Sequence, residues 1–280
     1  MKVLRWFVCV VILIVLTVQG ACSSNVHAFA DAATVVQTTH FPEAGGITKM
    51  ADRLTVDYSH MDQGYVMVKA KKTEKRMQLK VNHGSDSVHY EINGNGAYEI
   101  IPLQFGSGRY QFTLMIAQKK GSNRCSCAGT VMLNCRMAND DNCFLYPNQY
   151  VDYDADSPLV EKAQEICRGL TDPKEIAKAI CGYVSNHFVY DWLKAGMVKS
   201  GQAKGLLPDI GTTWETKKGI CQDLSAVLCA MLRSQGIPAK LAIGSADGSY
   251  HSWVVIIIDG KTKRFDPSFS ARSYKAERYY

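Results

Sequence analysis

The segment from Lys218 to Arg233 constrains the fold more than any other part of the chain. Leu224, Val227, Leu228, Met231 and Leu232 recur at i, i+3, i+4, i+7 and i+8, which predicts an amphipathic helix with one face on a core. The pattern stops at Gln235-Gly236-Ile237-Pro238, where a glycine just past the last turn and a proline two residues on end a helix. Cys221 therefore falls at the helix N-terminus, after Gly219, which lets the chain turn into it. At that place the positive end of the helix dipole and the unpaired backbone N–H groups favour a thiolate. The same N–H groups can receive a developing oxyanion. Cys229, two turns later, falls in the helix interior and reads as packing.

Beyond the proline, Ala239 to Gly244 reads as a strand, followed by a Gly/Ser/Asp loop and a second apolar strand from Tyr250 to Ile258. Asp259-Gly260 is a hairpin signal, and the return strand carries Lys263-Arg264-Phe265-Asp266-Pro267. If Ile258 and Lys261 flank a two-residue turn, Asp266 lies opposite Trp253 and diagonal to His251 on the same face. That diagonal is roughly 7–8 Å between Cα atoms, within side-chain reach. Local pattern thus sets a histidine and an aspartate side by side on adjacent strands, with a cysteine on a preceding helix start. Taken singly, each has a plainer reading: a disulfide half, a structural histidine, a turn. Taken together, they are the parts of a nucleophile, a base and an orienter. No third ligand accompanies His251 and Asp266, so a metal site is not expected, nor is any cofactor. The acidic residues also show no EF-hand-like calcium loop.

The chain changes texture along its length. Leu54–Tyr58, Tyr65–Ala70, Met77–Val81 and Arg109–Ile116 are β-branched or aromatic runs, separated by turn clusters such as His83-Gly84-Ser85-Asp86 and Asn93-Gly94-Asn95-Gly96. They predict a small immunoglobulin-like β-sandwich over 51–143. His60, His83 and His89 read as its surface residues. Residues 144–158, with two prolines, read as a connection. Leu159, Val160, Ala163 and Ile166 then repeat at helical spacing up to Gly169. Thr171-Asp172-Pro173 caps a second helix with Ile176, Ala179, Ile180, Tyr183 and Val184 on one face. Cys167 and Cys181 read as packing residues of these helices.

Lys2 and Arg5, the apolar run from Trp6 to Val18 and Ala28-Phe29-Ala30 have the layout of a secretory signal peptide over residues 1–30, with an apolar core too short to span a bilayer. Residues 31–50 read as a tether. Cys22, after Gln19-Gly20-Ala21, is a lipidation candidate. The expected location is secreted or cell surface, with membrane contact only through the signal peptide or a lipid anchor. Loss of Lys2 and Arg5 lowers the formal charge from +6 to +4, suited at most to weak attraction for acidic envelope components. No Lys/Arg run exceeds three residues, which excludes a concentrated nucleic-acid footprint. Outside the cytoplasm, Cys125, Cys127, Cys135 and Cys143 are candidates for one or two disulfides. Reduced thiols on a strand surface are the other reading, and the spacing suits tetrahedral zinc poorly.

The ordered set over residues 159–270 resembles the transglutaminase-like, papain-related superfamily. It comprises Val189-Tyr190-Asp191, a Gly-x-Cys-x-Asp motif (Gly219, Cys221, Asp223), Leu232 to Ala239, His-x-Trp (His251, Trp253) and Asp-Pro (Asp266, Pro267). The resemblance implies an α+β fold over 159–280 in which the helix bearing the cysteine packs on an antiparallel sheet, with a Cys221-His251-Asp266 triad. Tyr190, Trp214 and Gln222 are the candidates for the oxyanion or substrate side. The implied activity is acyl transfer from a protein or peptide amide, with the thioester passing to water or to an amine. The competing reading is a non-enzymatic surface-binding protein on a degenerate scaffold of the same kind.

Overall fold

The structure, a computed structural model, describes residues 41–202, 206–269 and 273–280. The expected signal peptide, Cys22 and the first ten residues of the expected tether lie outside the described residues. Gln37–Tyr280 forms one compact unit. Among the described residues no helix is long and apolar enough to cross a membrane.

Eight strands come first: β1 (Thr48–Ala51), β2 (Leu54–Asp57), β3 (Tyr65–Ala70), β4 (Met77–His83), β5 (Asp86–Ile92), β6 (Glu99–Pro102), β7 (Gly108–Ala117) and β8 (Cys125–Cys135). They form two four-stranded sheets, ordered β1-β2-β3-β6 and β5-β4-β7-β8, with every pairing antiparallel. Alternation in β4, β5 and β7 buries Leu79, Val81, Val88, Tyr90, Phe112 and Leu114 on one face, as a half-buried sheet requires. In the first sheet β2 pairs with β3 and β3 with β6, and in the second β4 pairs with both β5 and β7, and β7 with β8. The chain passes from the first sheet to the second after β3, returns after β5 and crosses again after β6. A short loop (58–64) containing a single 3₁₀ turn joins β2 to β3. The strand β8 passes so close to β1 that a Cβ on Gly129 (φ +138°) would lie 2.1 Å from the Ala51 carbonyl oxygen.

All four cysteines of this region are free thiols, so the bridges expected among Cys125, Cys127, Cys135 and Cys143 are not formed. Ten residues of extended β8 set Cys125 about 33 Å from Cys135. Cys125 and Cys127 share one face of the strand at about 6.6 Å, the upper limit for a bridge. Cys143 is buried, and its thiol donates to the Asp140 carbonyl oxygen at 3.2 Å.

The helices α1 (Pro158–Ile166) and α2 (Pro173–His187) follow, the second capped by Asp172, whose carboxylate accepts from the Lys174 N–H. The two-residue strand β9 (Val189–Tyr190) leads into α3 (Trp192–Lys199) and α4 (Ile210–Thr216), and β10 (Lys218–Gly219) pairs in parallel with β9. Then comes α5 (Cys221–Ser234), which packs against α1, α2 and α4 on some sides and on a four-stranded antiparallel sheet on another. That sheet, ordered β13-β12-β11-β14, consists of β11 (Ala239–Ala246), β12 (Ser249–Ile258), β13 (Lys261–Phe265) and β14 (Tyr274–Tyr279).

Every residue of α5 is buried, not just the predicted stripe. The reason lies in the residues between the large ones: Ser225, Ala226, Cys229 and Ala230 are small enough for neighbours to close over the other faces. Cys167, Cys181 and Cys229 are buried, and burial pushes their thiols up to about 11, 12 and 12. The connection over 144–158 is itself packed, with Phe144, Tyr146, Val151 and Tyr153 buried and the Tyr146 ring 4.7 Å from that of Tyr65. Arg233, fully buried, ties this connection to the C-terminal sheet. Its Nη1 donates to the Tyr146 carbonyl oxygen, Nε and Nη2 donate to that of Ala239, and Nη2 donates also to Tyr280, all at 2.7–2.9 Å.

Candidate active site

Three pieces of local structure bring the sequence-predicted residues together. Cys221 opens α5, whose first-turn N–H groups have no partner within the helix. The entry is fixed by Asp223, which is fully buried. Its Oδ2 accepts from the Ile220 N–H (3.0 Å) and from Lys194 Nζ (2.7 Å), and its Oδ1 from the Asp209 N–H (3.2 Å). A carboxylate in the first turn also complements the helix dipole. Gly219 is required by crowding, because a Cβ there would come 2.7 Å from Asp223 Cβ and 3.0 Å from Thr213 Cγ2. Gly219 and Asp223 thus fix the chain's entry into α5 at Cys221.

The second and third pieces are strands. The Asp259-Gly260 turn has φ values of +55° and +68°, so Ile258 pairs with Lys261 and the ladder runs to Val254 opposite Phe265. The next pair would be Trp253 and Asp266, as the register argument requires. His251 Nε2 donates to Asp266 Oδ2 at 2.6 Å, and both side chains are buried. Cys221 lies near the imidazole and is, with Asp266, one of the groups that favour its protonated form. Burial alone would lower the His251 pKa, but the Asp266 and Cys221 contacts outweigh it and hold the imidazole up at about 9. Asp266 is kept below the ordinary carboxylate range: burial works against this, and the bonds from His251 and Ser268 prevail. Trp253 is buried and stacks beside His251 at 6.2 Å between centroids.

Of the three oxyanion-side candidates, Tyr190 lies near Cys221 and Gln222 follows it in α5. Tyr190 is held up at about 12 by burial and by its proximity to Cys221, Asp223 and Asp266, so it stays a hydrogen-bond donor. Gln222 is buried beside Cys221, with its Nε2 donating to the Leu206 carbonyl oxygen at 3.0 Å. The Trp214 ring packs instead on Tyr183, Phe188 and Lys217.

Four contacting residues were not predicted. Asp266 Oδ1 accepts from the Ser268 N–H (3.0 Å), the Ser268 hydroxyl (2.7 Å) and the Phe269 N–H (3.2 Å), while Oδ2 accepts from the Tyr274 hydroxyl (3.0 Å). Asp-Pro-Ser carries an Asx-turn signal that could have revealed Ser268. Tyr274 reaches the site only because β14 pairs with β11, a long-range event with no local mark. Lys194 reaches Asp223 across 29 residues. Among the described residues no group of three or more His, Cys, Asp or Glu side chains could hold a metal ion.

A thiol at a helix start thus lies near an imidazole that is hydrogen-bonded to a buried carboxylate on the adjoining antiparallel sheet. Residues 160–267 match the family model of the transglutaminase-like superfamily, and this part of the chain is a transglutaminase-like domain. No curated protein matches the chain. Among solved structures, it is similar to a transglutaminase at 24% identity, over 43% of this chain and 32% of that one, with a TM-score of 0.35. A candidate cysteine protease from Cytophaga hutchinsonii matches at 14% identity over 79% of this chain and 78% of that one (TM-score 0.39). The periplasmic domain of TgpA from Pseudomonas aeruginosa matches at 10% identity over 78% and 94% (TM-score 0.35). The chain spans about a third of the length of the first of these.

Proposed function

We propose that the protein is an exported thiol enzyme that transfers acyl groups from protein or peptide amides, with Cys221 as nucleophile, His251 as acid and base, and Asp266 as orienter. The observation that carries this reading is the buried His251, bonded to Asp266 at 2.6 Å and with Cys221 beside it. The N-terminal layout of Lys2, Arg5 and the apolar run supports export. In the first half-reaction Cys221 Sγ attacks the amide carbonyl carbon, and the oxygen takes up the charge beside the first-turn N–H groups of α5. As the intermediate collapses, the C–N bond breaks and His251 gives its proton to the leaving amine or ammonia. The thioester then reacts with water or with an amine. His251 takes a proton from that nucleophile, the C–S bond breaks, and the thiol is restored with a carboxylic acid or a new amide.

The test is incubation with glutamine-containing peptides and a fluorescent amine, beside Cys221→Ala. Amine incorporation lost in the variant marks transamidation, and cleaved or deamidated peptide without adduct marks hydrolysis. Identical behaviour of the two proteins overturns the reading. The rate is expected to fall as pH rises through about 9, where His251 loses the proton it must donate. The sign follows for stability too. The raised His251 value stabilises the fold fully below its unperturbed 6.5, and that contribution is lost as pH climbs through about 9. The lowered Asp266 value acts oppositely, stabilising above the ordinary carboxylate range and fading as pH falls below it.

A further inference from the structure

Helix α3 buries none of its residues, although it carries some of the largest apolar side chains of the chain. Trp192 is 76% exposed, Leu193 85% and Met197 49%. The helix is held by polar anchors instead. Asp191 caps it by accepting from the Lys194 N–H at 2.9 Å, and Lys194 Nζ turns inward to Asp223 at 2.7 Å. That ion pair takes the charge of Lys194 off the outer surface, and the other cation, Lys199, sits in the last turn. Leu193 and Met197 are one turn apart and share a face. Exposed apolar side chains of this size, left open while the helix is anchored elsewhere, point to a binding surface.

The surface is continuous with the candidate active site. The Trp192 ring lies 4.7 Å from that of Tyr190, Tyr190 lies 6.4 Å from Phe269, and Phe269, itself 47% exposed, lies 4.3 Å from His251. The chain of rings therefore ends on the imidazole that faces Cys221. An occupant seated on it lies beside the imidazole, where the acyl donor of the proposed reaction must be held.

We infer that Trp192, Leu193 and Met197, with Tyr190 and Phe269, dock the acyl donor and select a polypeptide segment with large apolar side chains beside the reacting amide. This rests on the acyl-transfer reading above, so the test includes an arm that needs no turnover. Full-length Cys221→Ala is titrated with two peptides that share a central glutamine, one flanked by Leu and Phe, the other by Gly and Asp. Tryptophan fluorescence reports binding. The apolar peptide is expected to bind about 10-fold or more tighter. Adding Trp192→Ser and Leu193→Ser should bring the two within about threefold, read by peptide anisotropy since a tryptophan is lost. Both sites are exposed, so the fold is expected to persist, with thermal midpoints within a few degrees. In the thiol-competent protein the same preference should appear in kcat/KM.

Equal binding of the two peptides overturns the inference. A binding preference without turnover by the Cys221-containing protein leaves the docking surface standing and sinks the enzyme reading. Turnover without preference does the reverse. Co-sedimentation with phosphatidylcholine vesicles that the double serine substitution abolishes, with no peptide preference, makes the surface a bilayer contact and also overturns it.

Discussion

Asp266→Asn is expected to slow acyl transfer about 10³-fold or more while leaving the fold in place. The magnitude follows from where the new amide must point. Oδ1 of Asp266 receives two backbone donors, the N–H groups of Ser268 and Phe269, which cannot rotate away. The asparagine carbonyl oxygen must therefore take that side, which turns its NH₂ toward His251 Nε2. The imidazole then accepts there and carries its proton on the edge facing Cys221, the wrong tautomer for receiving the thiol proton. Tyr274, whose hydroxyl donates to Oδ2, would have to turn its proton elsewhere as well. The check is steady-state kinetics on the best amide substrate beside near-UV circular dichroism. A rate within tenfold of the parent protein would show that Asp266 does not set the tautomer.

Arg233→Met carries the largest expected cost in stability, about 3–5 kcal/mol. The guanidinium donates four hydrogen bonds to three backbone oxygens, those of Tyr146, Ala239 and Tyr280, in a fully buried place. Methionine fills similar volume but takes the guanidinium donors from the Tyr146 and Ala239 oxygens, while that of Tyr280 keeps the Leu241 N–H, and each oxygen left unsatisfied costs on the order of 1–3 kcal/mol. For a chain of this length the thermal midpoint should fall by on the order of 10 °C. Differential scanning calorimetry measures it, and a shift under 3 °C would mean that the oxygens find other donors.

The site was legible in the sequence wherever short-range rules set geometry. Asp259-Gly260 fixes a two-residue turn, the turn fixes register, and register sets Asp266 near His251. The helix start at Cys221 and its end near Gly236 follow from periodicity and terminators in the same way. What stayed hidden depends on contacts between distant segments. Arg233 and Asp223 flank the apolar stripe, and no local pattern marks their burial because their partners come from elsewhere in the chain. Strand β14 alternates poorly and is mostly exposed, so nothing local announced that Tyr274 would reach Asp266. Four of the eight early strands, β2, β3, β4 and β7, were visible as strands, but which sheet each joins is a choice that alternation cannot record. Tyr190 and Trp214 both looked suitable as aromatic neighbours. Only the pairing of β9 with β10 sets Tyr190 beside Gly219, two residues before Cys221.

The central claim is that Cys221 is the reactive thiol because His251 faces it. The protein supplies its own reference, since Cys127 is exposed and Cys221 is only 6% exposed. Each cysteine is followed by mass spectrometry during brief exposure to iodoacetamide at pH 6, in the parent protein and in His251→Ala. The thiolate is the species that alkylates, and a protonated imidazole beside the sulfur favours it. The account predicts that Cys221 labels at least about 10-fold faster than Cys127, and that His251→Ala removes the lead. Faster labelling of Cys127, or a Cys221 rate indifferent to His251, would contradict it.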